Sequence, residues 1–259
     1  MNKEQQQTLS KVPELTLVFW IIKILATTLG ETGGDAMSMS MNLGYLLSTG
    51  IFAVLFAAAV IVQVRAEKFH PVIYWITIIA TTTVGTTLAD FADRSLGIGY
   101  AGGTTILLLM LLASLWIWKR TLGSVAVDSV NSPKSEMFYW LTIMCSQTLG
   151  TALGDWTADT EGLGYGGGVI VFGGALAVIA GGYYFTKISR TILFWAAFIL
   201  TRPLGAVVGD FLDKPVSKGG LNLSRYTASA TLLVLIVFFI FAFSHQAASQ
   251  PKPATDAGN

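Results

Sequence analysis

The chain has 259 residues, 53% of them hydrophobic and 12% charged, where an ordinary soluble domain is about 25% charged. That much apolar surface exceeds what a soluble fold of this length can hide, so lipid is the expected solvent. A net charge of +1 gives no reason to propose a nucleic-acid partner, and the single cysteine, Cys145, makes neither an intrachain disulfide nor a thiolate metal cluster.

Residues 1–12 are polar and read as a cytoplasmic N-terminal segment. The apolar stretch that follows is about 20 residues long, too long for a signal-peptide core, and no small-residue cleavage site comes after it. It reads as a retained first membrane helix. Segments of spanning length then follow in order: 15–34, 45–64, 72–88, 100–118, 138–153, 165–185, 192–208 and 226–243. A helix satisfies its own backbone in lipid, whereas barrel strands would alternate apolar and polar positions, which these do not. The expected fold is all-α: a polytopic membrane protein with eight transmembrane helices in one domain, residues 13–243. Residues 244–259, rich in Gln, Ala, Pro and Ser, read as a disordered cytoplasmic tail.

Basic residues in the flanks set the expected orientation. Lys3, Lys11, Arg65, Lys68, Lys119, Arg120, Lys134, Lys187, Arg190 and Lys252 fall on one side, and Arg94, Lys214, Lys218 and Arg225 on the other. Ten against four places both termini in the cytoplasm. The two histidines, His70 and His245, lie at cytoplasmic ends.

Each odd-numbered helix carries one pattern: Trp, nine residues, Gly, four residues, Asp. It reads Trp20, Gly30, Asp35; Trp75, Gly85, Asp90; Trp140, Gly150, Asp155; and Trp195, Gly205, Asp210. Ten residues after the first three aspartates a tyrosine opens the next helix (Tyr45, Tyr100, Tyr165). Tyr226 comes sixteen residues after Asp210, because 214–220 looks like an inserted loop. The four tryptophans and segments such as LGTALGDWTADTEGLGYGGG make the chain resemble a group of bacterial membrane proteins. That group, often called uncharacterised membrane-anchored proteins, is built from four tandem repeats of unknown function. The resemblance implies two transmembrane regions and a characteristic tryptophan per repeat, here at about 13–66, 70–120, 133–187 and 190–243. It supplies no activity. Two-helix repeats all enter the membrane the same way, so pseudo-symmetry about the membrane normal is expected, with the odd helices as the inner layer.

The tryptophan lies about 22 Å along the helix from the aspartate, which suits an aromatic belt at the cytoplasmic interface, with pore-lining or packing as the alternative. The tyrosines suit a belt at the outer one. Gly30, Gly85, Gly150 and Gly205 are each followed four residues on by Gly34, Ala89, Gly154 or Gly209, a small-residue pair that lets helices approach in lipid. At 100° per residue, positions four and seven before each aspartate share its face. They are Glu31 and Thr28, Thr86 and Thr83, Thr151 and Thr148, and Ala206 and Pro203. In three repeats a polar stripe thus ends in a carboxylate, although any one threonine can simply bond its own backbone.

Asp93, Asp159, Glu161 and Asp213 add to the acids at the same end. Together they resemble the acidic rings that focus cations in channel vestibules. Asp35, Asp90, Asp155 and Asp210 are the candidate metal ligands, with Glu31, Thr28, Thr83 and Thr148 beside them; oxygen ligands suit Mg²⁺, Ca²⁺ or Mn²⁺. Lys23 is placed to snorkel to the cytoplasmic interface. Arg202, near mid-membrane and followed by Pro203, is expected to face the interior and to pair with Glu31, as a gate or a structural bond. No nucleophile elbow, zinc-protease motif or in-span histidine points to an enzyme, and no cofactor is implied. The expected function is a transporter or channel for small, divalent cations in a bacterial inner membrane. The alternative is a membrane scaffold or sensor that binds a partner, and a homo-oligomer is compatible with either. Reporter fusions after Asp159 and after Lys187 should report opposite sides of the membrane; one side for both would contradict eight spans.

Overall fold

The computed structural model describes residues 9–160, 162–243 and 245–249. In chain order its elements are β1 (Leu9–Pro13), α1 (Leu17–Asp35), α2 (Gly44–Arg65), α3 (Pro71–Asp90), α4 (Tyr100–Leu122), α5 (Pro133–Asp155), α6 (Gly164–Phe185), α7 (Arg190–Asp213), α8 (Arg225–Ala242) and β2 (Ala247–Ser249). Seven of the eight long helices are apolar enough to cross a membrane. The exception is α5, which carries Lys134, Glu136, Ser146, Gln147 and three threonines.

Local chemistry sets the boundaries. Thr16 caps α1 by accepting from the Phe19 N–H, Ser132 and Ser135 form a capping box on α5, and Pro71 and Pro133 sit in first turns, where a missing N–H costs nothing. At the motif aspartate the backbone widens into a single π-helical turn, over Ala36–Ser40, Phe91–Ser95 and Trp156–Thr160. The chain then reverses through two left-handed residues flanking a Leu or Ile: Asn42 and Gly44, Gly97 and Gly99, Gly162 and Gly164. Glycine adopts that conformation without the Cβ penalty, and the Gly-Tyr that recurs at the start of the first three outer helices records the requirement.

The four motif helices α1, α3, α5 and α7 form a closed ring, each packed on the next and α7 on α1. The glycines make the closure. Gly30 of α1 abuts Thr82 of α3; Gly85 of α3 abuts Gln147 of α5; Gly150 of α5 abuts Arg202 of α7; Gly205 of α7 abuts Thr27 of α1. One turn further, Gly34 meets Thr86, Gly154 meets Ala206 and Gly209 meets Glu31. A Cβ on Gly85 would lie 3.0 Å from the Gln147 backbone, and one on Gly209 would lie 2.7 Å from Glu31 Cβ. The same register at every contact gives the ring pseudo-fourfold symmetry.

The outer helices pack on the following repeat. α2 lies on α3, α4 on α5, α6 on α7, and α8 returns to α1. The most apolar stretches of α1, α3 and α7 are 61%, 72% and 72% buried, against 11–28% for the outer helices. The outer faces carry Val54, Ile170, Val178, Phe185, Val234 and Phe241, all largely exposed. Such a surface is an aggregation liability in water and ordinary in lipid.

Two expectations are corrected. The motif tryptophans are not an exposed belt: Trp75, Trp140 and Trp195 are buried, and Trp20 is half-buried. Each aromatic one residue before a tryptophan contacts the next helix's tryptophan, in a cycle of Phe19–Trp75 at 5.4 Å, Tyr74–Trp140 at 5.7 Å, Tyr139–Trp195 at 6.2 Å and Phe194–Trp20 at 6.0 Å. The reason is angular: these residues face the helix seams of the ring, where aromatic pairs add about 0.5–1.5 kcal/mol each beyond burial. Nor is all of the stretch read as a disordered tail free of structure, since residues 247–249 form β2, which pairs antiparallel with β1. Residues beyond 249 lie outside the described ones.

Gly150→Leu should lower the unfolding free energy in detergent by about 1–3 kcal/mol, the range for overpacking, because its Cβ would collide with the Arg202 stem. Gly50→Leu, whose Cβ would meet open space, should leave the melting temperature unchanged. Parent-like melting of Gly150→Leu would remove this contact from the account.

Candidate functional site

Taking every fourth residue back from the aspartates gives five levels along the four inner helices over about 24 Å. At one end are Phe19, Tyr74, Tyr139 and Phe194. Then come Lys23, Ile78, Ile143 and Phe198, then Thr27, Thr82, Gln147 and Arg202. Glu31, Thr86, Thr151 and Ala206 follow, and Asp35, Asp90, Asp155 and Asp210 close the stack. No residue in these layers is more than 4% exposed. The axis is therefore packed, with polar groups on the aspartate side and aromatic groups on the other.

Arg202 joins all four inner helices. Its Nη2 donates to Glu31 Oε2 of α1 at 2.9 Å, to Thr86 Oγ1 of α3 at 2.5 Å and to Thr151 Oγ1 of α5. The pair anticipated from depth alone is thus in contact, and two threonines of the polar stripe complete it. A buried guanidinium is costly unless its donors are met; here one helix carries the charge and three supply acceptors around Nη2, while Nε is left without a partner. Thr28, Thr83 and Thr148 play no part in this: each donates to the carbonyl four residues back in its own helix, Ile24, Ile79 and Met144. Lys23 does not snorkel. The ring turns it to the axis, where its ammonium lies 4.1 Å over the Phe198 ring, with no hydrogen-bond partner.

At the aspartate layer two basic groups divide the four carboxylates. Arg94 bonds Asp90 Oδ1 at 3.1 Å and Asp155 Oδ2 at 2.9 Å, and also donates to the Tyr45 hydroxyl. Lys214 bonds Asp35 Oδ2 at 2.5 Å and Asp210 Oδ1 at 3.0 Å. Burial opposes the Lys214 charge, but Asp210, Asp35 and Asp213 outweigh it and hold its pKa above the ordinary lysine range. Arg225 bonds Asp213 at 2.8 Å and approaches Asp35 at 3.7 Å. Of the four aspartates named as metal ligands, only Asp35 and Asp210 join a compact set: one oxygen from each, with one from Glu31, all lie within 4.8 Å of one another. Asp90 and Asp155 are outside that set, on Arg94. The aspartates do not cap the next helices, whose N-cap residues Leu43, Gly99, Leu163 and Ser224 make no side-chain cap bond.

Five carboxylates, Glu31 and the four aspartates, share Arg202, Arg94 and Lys214, with Arg225 also 3.7 Å from Asp35. The Arg225–Asp213 pair at the edge adds one of each. Several oxygens stay unpaired by hydrogen bonds, Asp35 Oδ1 and Asp90 Oδ2 among them. The other acids at this end differ in role. Asp93 is buried against Gly103, and Asp159 is exposed and accepts from the Tyr100 hydroxyl at 3.1 Å. Glu161 lies outside the described residues. Sequence reasoning missed Arg94 and Lys214 as site residues. Both stand four residues after a motif aspartate, in repeats two and four, a spacing that pairs charges on one helical face.

A family described as Repeat of Unknown Function (DUF347) matches the chain four times, over residues 18–69, 73–124, 138–189 and 193–247. The chain belongs to this family. Each DUF347 repeat supplies one inner helix, with its tryptophan and aspartate, and one outer helix that packs on its neighbour. A search of the curated proteins found no match, and a search of the solved structures found none either.

Arg202→Leu should destabilise the protein by about 3–5 kcal/mol, the cost of stranding a buried charge. Adding Glu31→Leu should restore part of that loss in chemical unfolding. An equal or greater loss in the double variant would show that the pair is not what the two residues contribute.

Proposed function

We propose that this chain is a multi-pass transporter for a small divalent cation in a bacterial inner membrane, with both termini cytoplasmic and the aspartate layer outermost. The observation that carries the reading is the convergence of Glu31, Asp35 and Asp210 oxygens within 4.8 Å, buried at the end of a polar axis. Acids outnumber bases there, and sealing uncompensated negative charge away from water is unfavourable. A divalent ion balances the excess, and carboxylate oxygens suit Mg²⁺, Ca²⁺ or Mn²⁺. Below this layer Arg202 and the aromatic girdle close the axis, which favours a gated transporter over an open channel. Passage needs a second state in which Arg202 releases Glu31 and the girdle parts.

The same packed axis favours one other reading, a membrane scaffold or sensor in which the charges only hold the ring together. Flux distinguishes the two. In proteoliposomes loaded with a Mn²⁺ indicator, Asp35→Asn and Asp210→Asn should lower uptake by at least about tenfold, the lower end of what metal-site partners are worth. Asp90→Asn and Asp155→Asn should reduce it less, and Asp159→Asn should match the parent, with folding of each checked by size exclusion. Unimpaired uptake in every aspartate variant, or no uptake by the parent, would move the assignment to the scaffold.

A further inference from the structure

The inserted loop that breaks the repeat spacing has a defined structure. α7 ends at Asp213, and the chain turns back over its own helix end. Leu221 N–H donates to the Phe211 carbonyl at 2.7 Å, Leu223 N–H to Leu212 at 2.8 Å and Asn222 N–H to Lys214 at 2.9 Å. Gly220 lies directly on the Lys214 carbonyl, where a Cβ would collide, and Gly219 is left-handed at φ 85°. The loop thus grips the Lys214 backbone from above. Its side chain is directed down into the carboxylate layer, 11% exposed, between Asp35 of the first repeat and Asp210 of the last.

An ammonium at 2.5 and 3.0 Å from two carboxylates marks where this layer accepts positive charge. The same two aspartates, with Glu31, form the compact acidic set. One Asp35 oxygen, Oδ1, is buried and still lacks a donor, so the lysine leaves coordinating capacity unused. The equivalent position in the other repeats is Met39, Arg94 or Asp159, so a lysine placed by a clamped loop belongs to the fourth repeat alone.

We propose that Lys214 is a tethered competitor for the cation site: its ammonium occupies the place between Asp35 and Asp210 that a divalent cation takes, and the ion binds when Lys214 leaves. This rests on the cation reading above and adds its regulation. The inserted loop sets how readily the site opens, because a lysine held at its backbone competes at a high effective concentration. Arg225, on Asp213 and 3.7 Å from Asp35, is the other base beside Asp35 and the candidate to hold that carboxylate when Lys214 withdraws.

The test is calorimetric titration of Mn²⁺ into the purified full chain in detergent, comparing the parent with Lys214→Gln and Lys214→Arg. Lys214→Gln should bind Mn²⁺ more tightly by about tenfold, within the usual range of a coupling between two sites, while Lys214→Arg should not. Equal affinities in parent and Lys214→Gln would overturn the competitor and leave the cation reading standing. No binding by any of the three would overturn both. Should Lys214→Gln fail to fold, amine labelling of the parent read by mass spectrometry decides. Saturating Mn²⁺ should increase labelling of Lys214 and leave Lys119 unchanged; unaltered Lys214 labelling would make Lys214 only a staple between the first and last repeats.

Discussion

A single guanidinium on the axis of the bundle sets the terms for the rest of the structure. Arg202 is fully buried, so its charge has to be met inside the ring. Glu31 meets the charge, and Thr86 and Thr151 gather around the same Nη2, which brings acceptors from α1, α3 and α5 to one point on α7. That convergence works only if the four helices approach closely enough to touch one side chain. The glycines permit the approach: Gly150 lies directly on the Arg202 stem, and Gly205 and Gly209 bring α1 against α7. The small-residue pairs and the buried ion pair are thus two halves of one arrangement.

The same closeness accounts for what lies above and below. Above Arg202 the four aspartates are forced together, and like charges so close require counter-charges. Arg94 and Lys214 provide them in two pairs, one between repeats two and three and one across the seam where repeat four meets repeat one. Below Arg202 the ring is filled by aromatic groups, with Tyr74 and Tyr139 joined hydroxyl to hydroxyl at 2.7 Å. The outer helices add a layer whose exposed faces are apolar. Because each lies on the next repeat's inner helix, and α8 comes back to α1, the tandem order of the repeats itself closes the ring.

Much of this was legible in the sequence. Identical spacing of Trp, Gly and Asp in four segments gave the repeat, and the family match places its boundaries similarly. Depth along the helix was enough to bring Arg202 to Glu31, because two opposite charges one turn apart in depth on adjacent inner helices have few other places to go. Angular information was the weak point. The tryptophans were read by depth as interfacial, yet one residue of rotation puts them in the seams. Lys23 was read as snorkelling, though a side chain on the inner face has no route to the surface. Arg94 and Lys214 counted as outer flanking charges because a linear reading treats loop residues as solvated. What brings Lys214 inward is a set of backbone hydrogen bonds around Gly219 and Gly220, a constraint that hydropathy does not register.

The account comes down to whether the carboxylate layer takes a cation in place of its own lysine. The most direct measurement is an experimental structure of the full chain at saturating Mn²⁺, with the metal located by its anomalous scattering. The account predicts a manganese peak bounded by Asp35, Asp210 and Glu31, with the Lys214 ammonium withdrawn from both aspartates. A layer without manganese, Lys214 still bonded to Asp35 and Asp210, would contradict it.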